Sequence, residues 1–405
     1  MTNDELNIYL LTNDFPYGKV EPYLFDEMNC VQNLKANITL VPLNRSESDG
    51  LREEFQGFRI LNIKTDDYSS DKIPIGAKFF LLWIHFLDLV KAAKVGYFKS
   101  NYKNNYALLL RLYYTASKLS NDIKLKTGKI IVYSYWCDNL ALIGIFAKLK
   151  NSNVKVVSRA HGFDVFKEQT KYGYIPFRFF QMKHLSRLFS VSKSGARQIA
   201  SDNAKYADKI AVSRLGVLDM GSNPHNVDKL NIVTCCHIRN VKRLDIIANV
   251  LKDFSSDLAW HVIGTGPDFE KLKAQTKDFP KNVNVIFHGY LNKEQLNNFY
   301  KTQPVTALIS TSSSEGIPVS MMEAASFGIP IISTDVGGCS EIVTERTGVL
   351  ISKDNTATEL LSGLKNILSS KLNTSDFRKG VKEFWSQNFD AQKNYSHFIQ
   401  SLSEM

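Results

Sequence analysis

Cysteine is scarce in this chain, with five residues in 405, at positions 30, 137, 235, 236 and 339. Their number is odd and no spacing suits a metal. A disulfide framework and a zinc module are therefore not expected, and the thiols read as reduced, as in the cytoplasm. Long apolar runs are missing too. The longest, Phe79 to Val90, holds twelve residues and includes His85 and Asp88. It is too short and too polar to span a bilayer, which needs about 20 residues. The opening Met-Thr-Asn-Asp-Glu-Leu-Asn is polar and acidic and does not read as a signal peptide. No short-period repeat, low-complexity tract or long flexible linker is visible. No helix-turn-helix, zinc-finger or RNP-type pattern is present, so nucleic acid is not an expected partner.

What remains is a globular composition with unevenly placed charge. The chain is 44% hydrophobic, and its length suits two domains, each large enough for its own core. The net charge of +10 lies in the first half. Residues 51–200 hold 25 Lys and Arg against 10 Asp and Glu, whereas residues 201–405 hold 22 of each. The basic half is also aromatic, with Phe79, Phe80, Trp83, Phe86, Tyr113, Tyr114, Phe177, Phe179 and Phe180. Basic and aromatic character together suit an anionic membrane surface, which is an expected partner. The run Tyr174 to Arg187 is cationic and aromatic at helical spacing. It reads either as a helix packing on a sheet or as a face that meets lipid.

Apolar strand-like runs alternate with longer helical stretches, which argues for an α/β chain with parallel sheets. Strands are read at Ile8–Leu11, Ile38–Val41, Ile130–Tyr133, Val154–Ser158, Leu188–Val191 and Ile210–Ser213. In the second half they are read at Ile232–Cys235, Ala259–Ile263, Val283–Phe287, Val305–Ile309 and Pro330–Ser333. The polar segment Leu218 to Lys229 is the expected boundary. It gives domains of 1–218 and 219–383, followed by an amphipathic helical segment over 384–405.

Glu315 and Glu323 stand eight residues apart in Thr311-Ser-Ser-Ser-Glu315-Gly-Ile-Pro-Val-Ser-Met-Met-Glu323. A buried strand precedes them, then a Ser/Gly/Pro loop, then a short helix predicted over Val319–Ser326. Unpartnered backbone N–H groups at that helix start form an anion site. A carboxylate on the loop and one on the helix can accept hydroxyl hydrogen bonds on either side of a bound diphosphate.

The stretch from Ser314-Glu-Gly-Ile-Pro through Glu323-Ala-Ala-Ser-Phe-Gly-Ile-Pro to Asp335-Val-Gly-Gly closely resembles the donor-binding signature of family 4 glycosyltransferases. These are retaining enzymes of the GT-B fold, in which two doubly wound Rossmann-like domains face each other across a cleft. Other segments carry the same resemblance. Phe15-Pro-Tyr-Gly18 follows the first strand, as does the family's N-terminal glycine loop. Gly18 is either a turn glycine or a point where backbone comes close to the donor. Arg159-Ala-His161-Gly-Phe-Asp164 looks like the family's R-x-H-G-x-D. His161 is then the residue beside the donor sugar, and Asp164 either joins it or only holds the loop. In Cys236-His237-Ile-Arg239-Asn-Val-Lys242 the family has an Arg and then a Lys five residues on. Lys242 matches the Lys. His237 stands where the Arg is expected, so Arg239 or His237 itself takes that part. Gly264-Thr-Gly266-Pro resembles the family's G-x-G-P near the nucleotide, and Gly289-Tyr290-Leu291 the segment whose backbone reads the base. Asp335-Val-Gly337-Gly338 reads as a structural turn, and Glu341 as a cap.

The resemblance implies a metal-independent retaining hexosyltransferase in cell-surface polysaccharide or capsule assembly. Its co-substrate is a nucleoside diphosphate sugar, with no other cofactor. Its acceptor is a saccharide or a polyprenyl-linked saccharide, and its place is cytoplasmic, peripheral on the inner face of the membrane. It makes Glu323 the ligand of the ribose hydroxyls and Glu315 of the donor sugar. Gly316, Ile317 and Val319 offer backbone N–H groups, and Lys242 stabilises the leaving diphosphate. A non-catalytic GT-B subunit that assists a partner enzyme is the alternative, and the His237 departure keeps it open. A dinucleotide-dependent oxidoreductase would need a G-x-G-x-x-G turn after the first strand, where only Gly18 is found.

Overall fold

The computed structural model describes residues 5–18, 21–32, 34, 36–44, 50–93, 102–170, 173–225, 230–369 and 371–405. The chain divides into two compact units. Met1–Ser213 with Tyr395–Met405 form the first, and Arg214–Asn394 the second.

The first unit runs β1 (Leu6–Thr12), α1 (Leu24–Val31), β2 (Asn37–Pro42), β3 (Arg59–Ile60), α2 (Ile75–Ala92), α3 (Tyr102–Ile123) and β4 (Lys129–Ser134). It continues with α4 (Asn139–Lys150), β5 (Val154–Ala160), α5 (Arg178–His184), β6 (Arg187–Ser190), α6 (Lys193–Asp202) and β7 (Ile210–Val212). Its seven strands form one parallel sheet in the order β3-β2-β1-β4-β5-β6-β7. All seven residues of β1 are buried, as are five of the six in β4. Continuous apolar runs are what central parallel strands covered on both faces require. Asp138 and Ser192 start α4 and α6 by accepting from Leu140 N (2.9 Å) and Gly195 N (3.0 Å), which satisfies helix N–H groups left without partners.

A charge sits inside this core. Arg159 Nη1 meets Glu27 Oε2 at 2.7 Å, with the two side chains 0% and 1% exposed. Tyr133 donates to Glu27 Oε1 at 3.2 Å. The Arg159 guanidinium lies 4.2 Å from the Phe398 ring, and that ring packs against Tyr133 and Phe189 at 5.0 and 5.1 Å. Arg159 and Phe398 thereby hold the chain's last residues on the first unit.

The second unit runs β8 (Leu230–Cys235), α7 (Leu244–Lys252), β9 (Leu258–Ile263), α8 (Phe269–Gln275), β10 (Val283–Gly289), α9 (Lys293–Thr302) and β11 (Ala307–Ser310). Then come α10 (Val319–Ser326), β12 (Ile331–Thr334), β13 (Gly348–Ile351), α11 (Thr356–Ser369) and α12 (Ser375–Asn388). Helix α13 (Ala391–Ser403) starts in this unit and ends in the first. The six strands are parallel, in the order β10-β9-β8-β11-β12-β13. Helix α7 buries Leu244, Ile247, Ala248 and Leu251, the i, i+3, i+4, i+7 stripe of a helix lying on a sheet.

Every predicted strand segment falls on an observed strand, and α10 has the predicted bounds. Val305–Ile309 slides to Ala307–Ser310. Strands β3 and β13 were not read from the sequence: one has two residues, the other is a four-residue sheet edge with three residues half-buried. The domain boundaries fall at 213/214 and 394/395, where the sequence put 218/219 and 383/384. Part of the predicted linker, 226–229, lies outside the described residues. The expected single helical segment after 384 is broken at Phe389–Asp390, because Val217 pairs with Asp390 there. Phe384–Asn388 belong to α12, which packs on α10 within the second unit. The run Tyr174–Arg187 holds the short helix α5 and the first residue of β6, with Phe177 and Phe180 buried, and Phe180 packs on Phe146 of α4 and Phe80 of α2 rather than on the sheet.

Candidate active site

In the second sheet the strand order reverses between the neighbours β8 and β11. Ligands of doubly wound sheets lie beyond the carboxyl ends of the strands at such a point. The loop after β8 ends in a 3₁₀ turn, Asn240–Lys242, and then Arg243 in the left-handed region at φ 48°. Arg243 laces the neighbouring loops together. Its Nε donates to Thr311 O at 2.7 Å and its Nη2 to Thr356 Oγ1 at 3.1 Å. Thr311 Oγ1 returns a bond to Lys242 O at 3.0 Å. Lys242 Nζ consequently meets Glu315 Oε1 at 2.5 Å, and Ser312 Oγ donates to the same oxygen at 2.6 Å. The two charged side chains keep 17% and 12% of their surface, so they are sheltered yet open on one side.

The Glu315 loop is pressed from behind by Gly337, at φ 57°. A Cβ there would stand 1.8 Å from Glu315 O, so only glycine fits. Gly338 N then donates to Gly316 O at 2.8 Å. The turn read as structural in the sequence is what fixes Glu315. Pro318 precedes α10 and offers no side-chain cap, so the helix begins at Val319 with its first N–H groups uncapped by any side chain. Gly316, Ile317 and Val319 line this start, with Ile317 buried.

Glu323, on α10, has a partner the sequence did not reveal. Lys293 Nζ meets Glu323 Oε1 at 2.7 Å. Lys293 opens α9, whose start is fixed by Asn292 and Gln295 exchanging cap bonds. Burial raises the Cys235 thiol pKa well above its ordinary value, and Glu323 adds to the rise while Lys293 and Lys242 oppose it. Glu323, Lys293 and Lys242 therefore all stand near the end of β8. Tyr290 is exposed and Leu291 half-buried just before α9. Gly264 and Gly266 stand where a Cβ would meet Cys236 O at 1.9 Å and Ile238 O at 2.1 Å, which packs the β9 turn onto the β8 loop. His237 and Arg239 are exposed on that loop.

The first unit gathers its own group where its strand order reverses, at β1 and β4. The His161 ring lies 4.5 Å from Tyr135 and 4.4 Å from Trp136, with Nε2 at 2.9 Å from Tyr135 O. Burial lowers its pKa to about 4, so the ring is neutral at physiological pH. Asp164 accepts from His161 N (2.7 Å), Gly162 N (3.1 Å) and Cys137 N (3.0 Å), which is the loop-holding role. Glu21 ties the turn after β1 to this group, accepting from Phe15 N (2.9 Å) and Trp136 Nε1 (2.9 Å). Gly18 takes φ 59° in that turn, and Arg52 Nε donates to its carbonyl at 2.7 Å. Glu341 pairs with Arg214 Nη2 at 3.4 Å.

The structure thus brings together Lys242, Glu315, Gly316, Ile317, Val319 and Glu323 in one unit, with Gly264, Gly266, Tyr290 and Leu291 on adjoining strand ends. It brings His161 and Gly18 to the strand ends of the other. Sequence reasoning missed Lys293, Arg243 and Glu21. Arg243 had a trace in its position after a strand and before a helix. Lys293 and Glu21 had none, since each works through a partner far along the chain or through backbone shape.

Residues 219–384 match the family of glycosyl transferases group 1. An O-antigen biosynthesis glycosyltransferase of Escherichia coli, WbnH, is 28% identical over 158 residues, which cover 37% of this chain and 44% of that protein. A lipopolysaccharide 1,6-galactosyltransferase of Salmonella typhimurium is 36% identical over 94 residues, 23% of this chain and 26% of its own. The matched stretches thus span less than half the length of these relatives. Among solved structures, the apo form of the lipopolysaccharide outer core galactosyltransferase WaaB superposes with a TM-score of 0.70 at 17% identity, over 98% of this chain and 99% of that one. HepE of Anabaena, in complex with UDP and glucose, gives 0.71 at 12% identity, over 99% and 100%. The chain has the GT-B fold, and its residues 219–384 are the part that matches the glycosyl transferases group 1 family.

Proposed function

We propose that this protein is a retaining, metal-independent glycosyltransferase of family 4. It moves a sugar from a nucleoside diphosphate sugar to a saccharide or polyprenyl-linked saccharide acceptor in cell-surface polysaccharide assembly. The observation that carries the reading is the Lys242–Glu315 contact at 2.5 Å, sheltered but open, beside the uncapped start of α10. A diphosphate arriving at the helix start presents more negative charge to Lys242 than one carboxylate does. The ammonium moves to the phosphate and stabilises the charge that grows as the sugar leaves. Glu315, released, accepts hydrogen bonds from the sugar hydroxyls, and Glu323 accepts those of the ribose. Arg239 and His237, exposed on the same loop, supply further positive or donor groups, and the turns at Gly264–Gly266 and Tyr290–Leu291 take the nucleotide. His161, neutral, and Gly18 are the first unit's proposed donor contacts.

Solved neighbours hold UDP or UDP-glucose, and relatives are named for O-antigen and lipopolysaccharide work, so UDP-sugars come first in the test. We further propose a place on the inner face of the membrane, supported by the basic first half. The test is calorimetric titration with UDP-, GDP-, ADP- and CMP-sugars. One donor should bind selectively. Glu323→Ala and Lys242→Ala should each weaken it about ten- to a hundredfold, as loss of a charge-assisted hydrogen bond does. Absence of binding to any donor would overturn the reading in favour of a non-catalytic subunit.

A further inference from the structure

Helix α2 is apolar on both of its faces, and among the described residues one face is buried and the other exposed. Leu81, Ile84, His85, Asp88, Leu89 and Ala92 are buried against the first unit. Opposite them, Ile75, Phe79, Leu82, Trp83, Phe86 and Val90 are exposed, Ile75 by 75%, Phe79 by 68% and Trp83 by 58%. At 3.6 residues per turn these six positions fall within about 100° of arc, a continuous stripe along the helix. The rings of Trp83 and Phe86 stack at 5.8 Å within it. Isolated exposed apolar residues are common, but an apolar stripe about four turns long with three aromatic rings marks an interaction surface.

We propose that this stripe is where the protein enters an anionic membrane surface, with α2 lying in the plane of the headgroups. The occupant is argued from charge. No charged side chain falls within the stripe. Lys78 flanks it on one side and Lys91 on the other, where long stems can hold ammonium groups at headgroup level while the rings sink. Residues 72–129, which contain α2 and α3, carry eleven Lys and Arg against two acids, Asp88 and Asp122. Asp88 is buried in α2, and Asp122 is paired with Arg59 at 2.5 Å, so neither opposes an anionic surface. A second copy of the chain would bring the same positive field against itself, which disfavours it as the occupant. Among the described residues no helix is long and apolar enough to cross a membrane, and Lys78, Asp88 and Lys91 keep α2 from doing so. The helix therefore lies on the membrane. The inference rests on the membrane part of the proposed function and leaves its donor chemistry untouched.

The test is co-sedimentation of the full chain with vesicles of phosphatidylcholine alone and with a third phosphatidylglycerol, at low salt and at 0.5 M salt. Binding should need the anionic lipid and persist in part at high salt, since buried apolar area is not screened. Phe79→Ser, Trp83→Ser and Phe86→Ser together should weaken binding at least about tenfold. Lys78→Ser with Lys91→Ser should remove the salt-sensitive part. On vesicle addition the wild-type fluorescence should shift to the blue, and the Trp83→Phe variant should not shift. Donor titration of the triple variant should match wild type, which shows that it folds. If the triple variant binds vesicles as the wild type does, another surface makes the contact and the proposal falls. If the wild type ignores vesicles but dimerises through a surface the triple variant abolishes, the stripe belongs to a second copy. Either failure with normal donor binding leaves the transferase reading standing.

Discussion

Arg159 and Glu27 in the first unit meet at 2.7 Å with 0% and 1% of their side chains exposed. Lys242 and Glu315 in the second meet at 2.5 Å with 17% and 12% exposed. Arg159, Lys242 and Glu315 lie in segments that the family resemblance marks. Burial separates their roles. The first pair is enclosed by Tyr133 and Phe398, so no ligand can compete for it, and its work is to hold the core and the chain's end. The second pair opens to one side, so a phosphate can take the lysine from the glutamate. An arginine in a functional motif is therefore not a ligand by virtue of the motif, and a lysine already paired is not thereby excluded.

The strongest way to break this comparison is at Arg159. Arg159→Ala leaves Glu27 buried without its charge partner, and loss of one member of a buried pair costs about 3–5 kcal/mol. Urea denaturation should show that loss in the first unit, and donor titration in the second should be much less affected. Replacing both partners with apolar residues, Glu27→Leu and Arg159→Met, should cost less than Arg159→Ala alone, because no unpaired charge remains. If the double variant is the weaker one, the pair is not a packing device.

His161 sharpens the same contrast through pH. Its folded pKa is about 4 against an ordinary 6.5, because burial disfavours the charged ring. A depressed folded pKa gives stability that is fully present above 6.5 and is lost as pH falls from 6.5 towards 4. The gap corresponds to about 3 kcal/mol between those limits. His184 and His261 are also lowered to about 4 and add to the same window. The contribution of His161 is therefore the difference between the wild type and His161→Gln. The acid-side slope of stability against pH should flatten in the variant, and an unchanged slope would mean that the ring is not buried neutral.

Gly337 tests the second unit without touching a charge. A methyl group at φ 57° and 1.8 Å from Glu315 O must displace the loop. Gly337→Ala should cost about 1–3 kcal/mol of stability, the range for a non-glycine residue forced into a strained backbone, and should weaken donor binding alongside. A loss of stability with donor affinity intact would separate the Glu315 loop from the donor.

The fold was legible because central parallel strands are short, largely apolar runs, and β1, β4, β5, β8 and β9 are of that kind. Strands β3 and β13 are short, half-buried edges, and their signal is correspondingly faint. The carboxylates of the second unit were legible for a related reason. Strand, small-residue loop and helix start follow one another within about twenty residues, so Glu315 and Glu323 carry their context with them. What was not legible was every effect that depends on distance along the chain. Arg159 became a core residue only through Glu27 and Phe398. The aromatic character of the basic half was visible, but the sequence did not tell the buried Phe177 and Phe180 from the exposed Phe79 and Trp83. Their separation comes from which side chains of α2 and of the α5 segment face the core of the first unit.

Lys293 is the clearest such omission and gives the smallest expected effect. Its position at the first residue of α9 is one the helix dipole disfavours for a cation, and the 2.7 Å contact with Glu323 is what holds it there. The two side chains keep 20% and 14% of their surface, and an ion pair still open to water on one side is worth about 1 kcal/mol, so Lys293→Met should change stability little. Its effect belongs in binding. Without the ammonium, Glu323 loses the bond that fixes its orientation, and donor affinity should fall about two- to fivefold, the same free energy read as affinity. Lys293→Arg should restore most of it. A donor lacking the ribose 2′-hydroxyl should bind the Lys293→Met variant and the wild type with more nearly equal affinity, if Glu323 serves that hydroxyl. An equal loss with both donors would mean that Lys293 acts on the phosphates instead. It would then join Lys242 as a second cation of the site rather than the residue that positions Glu323.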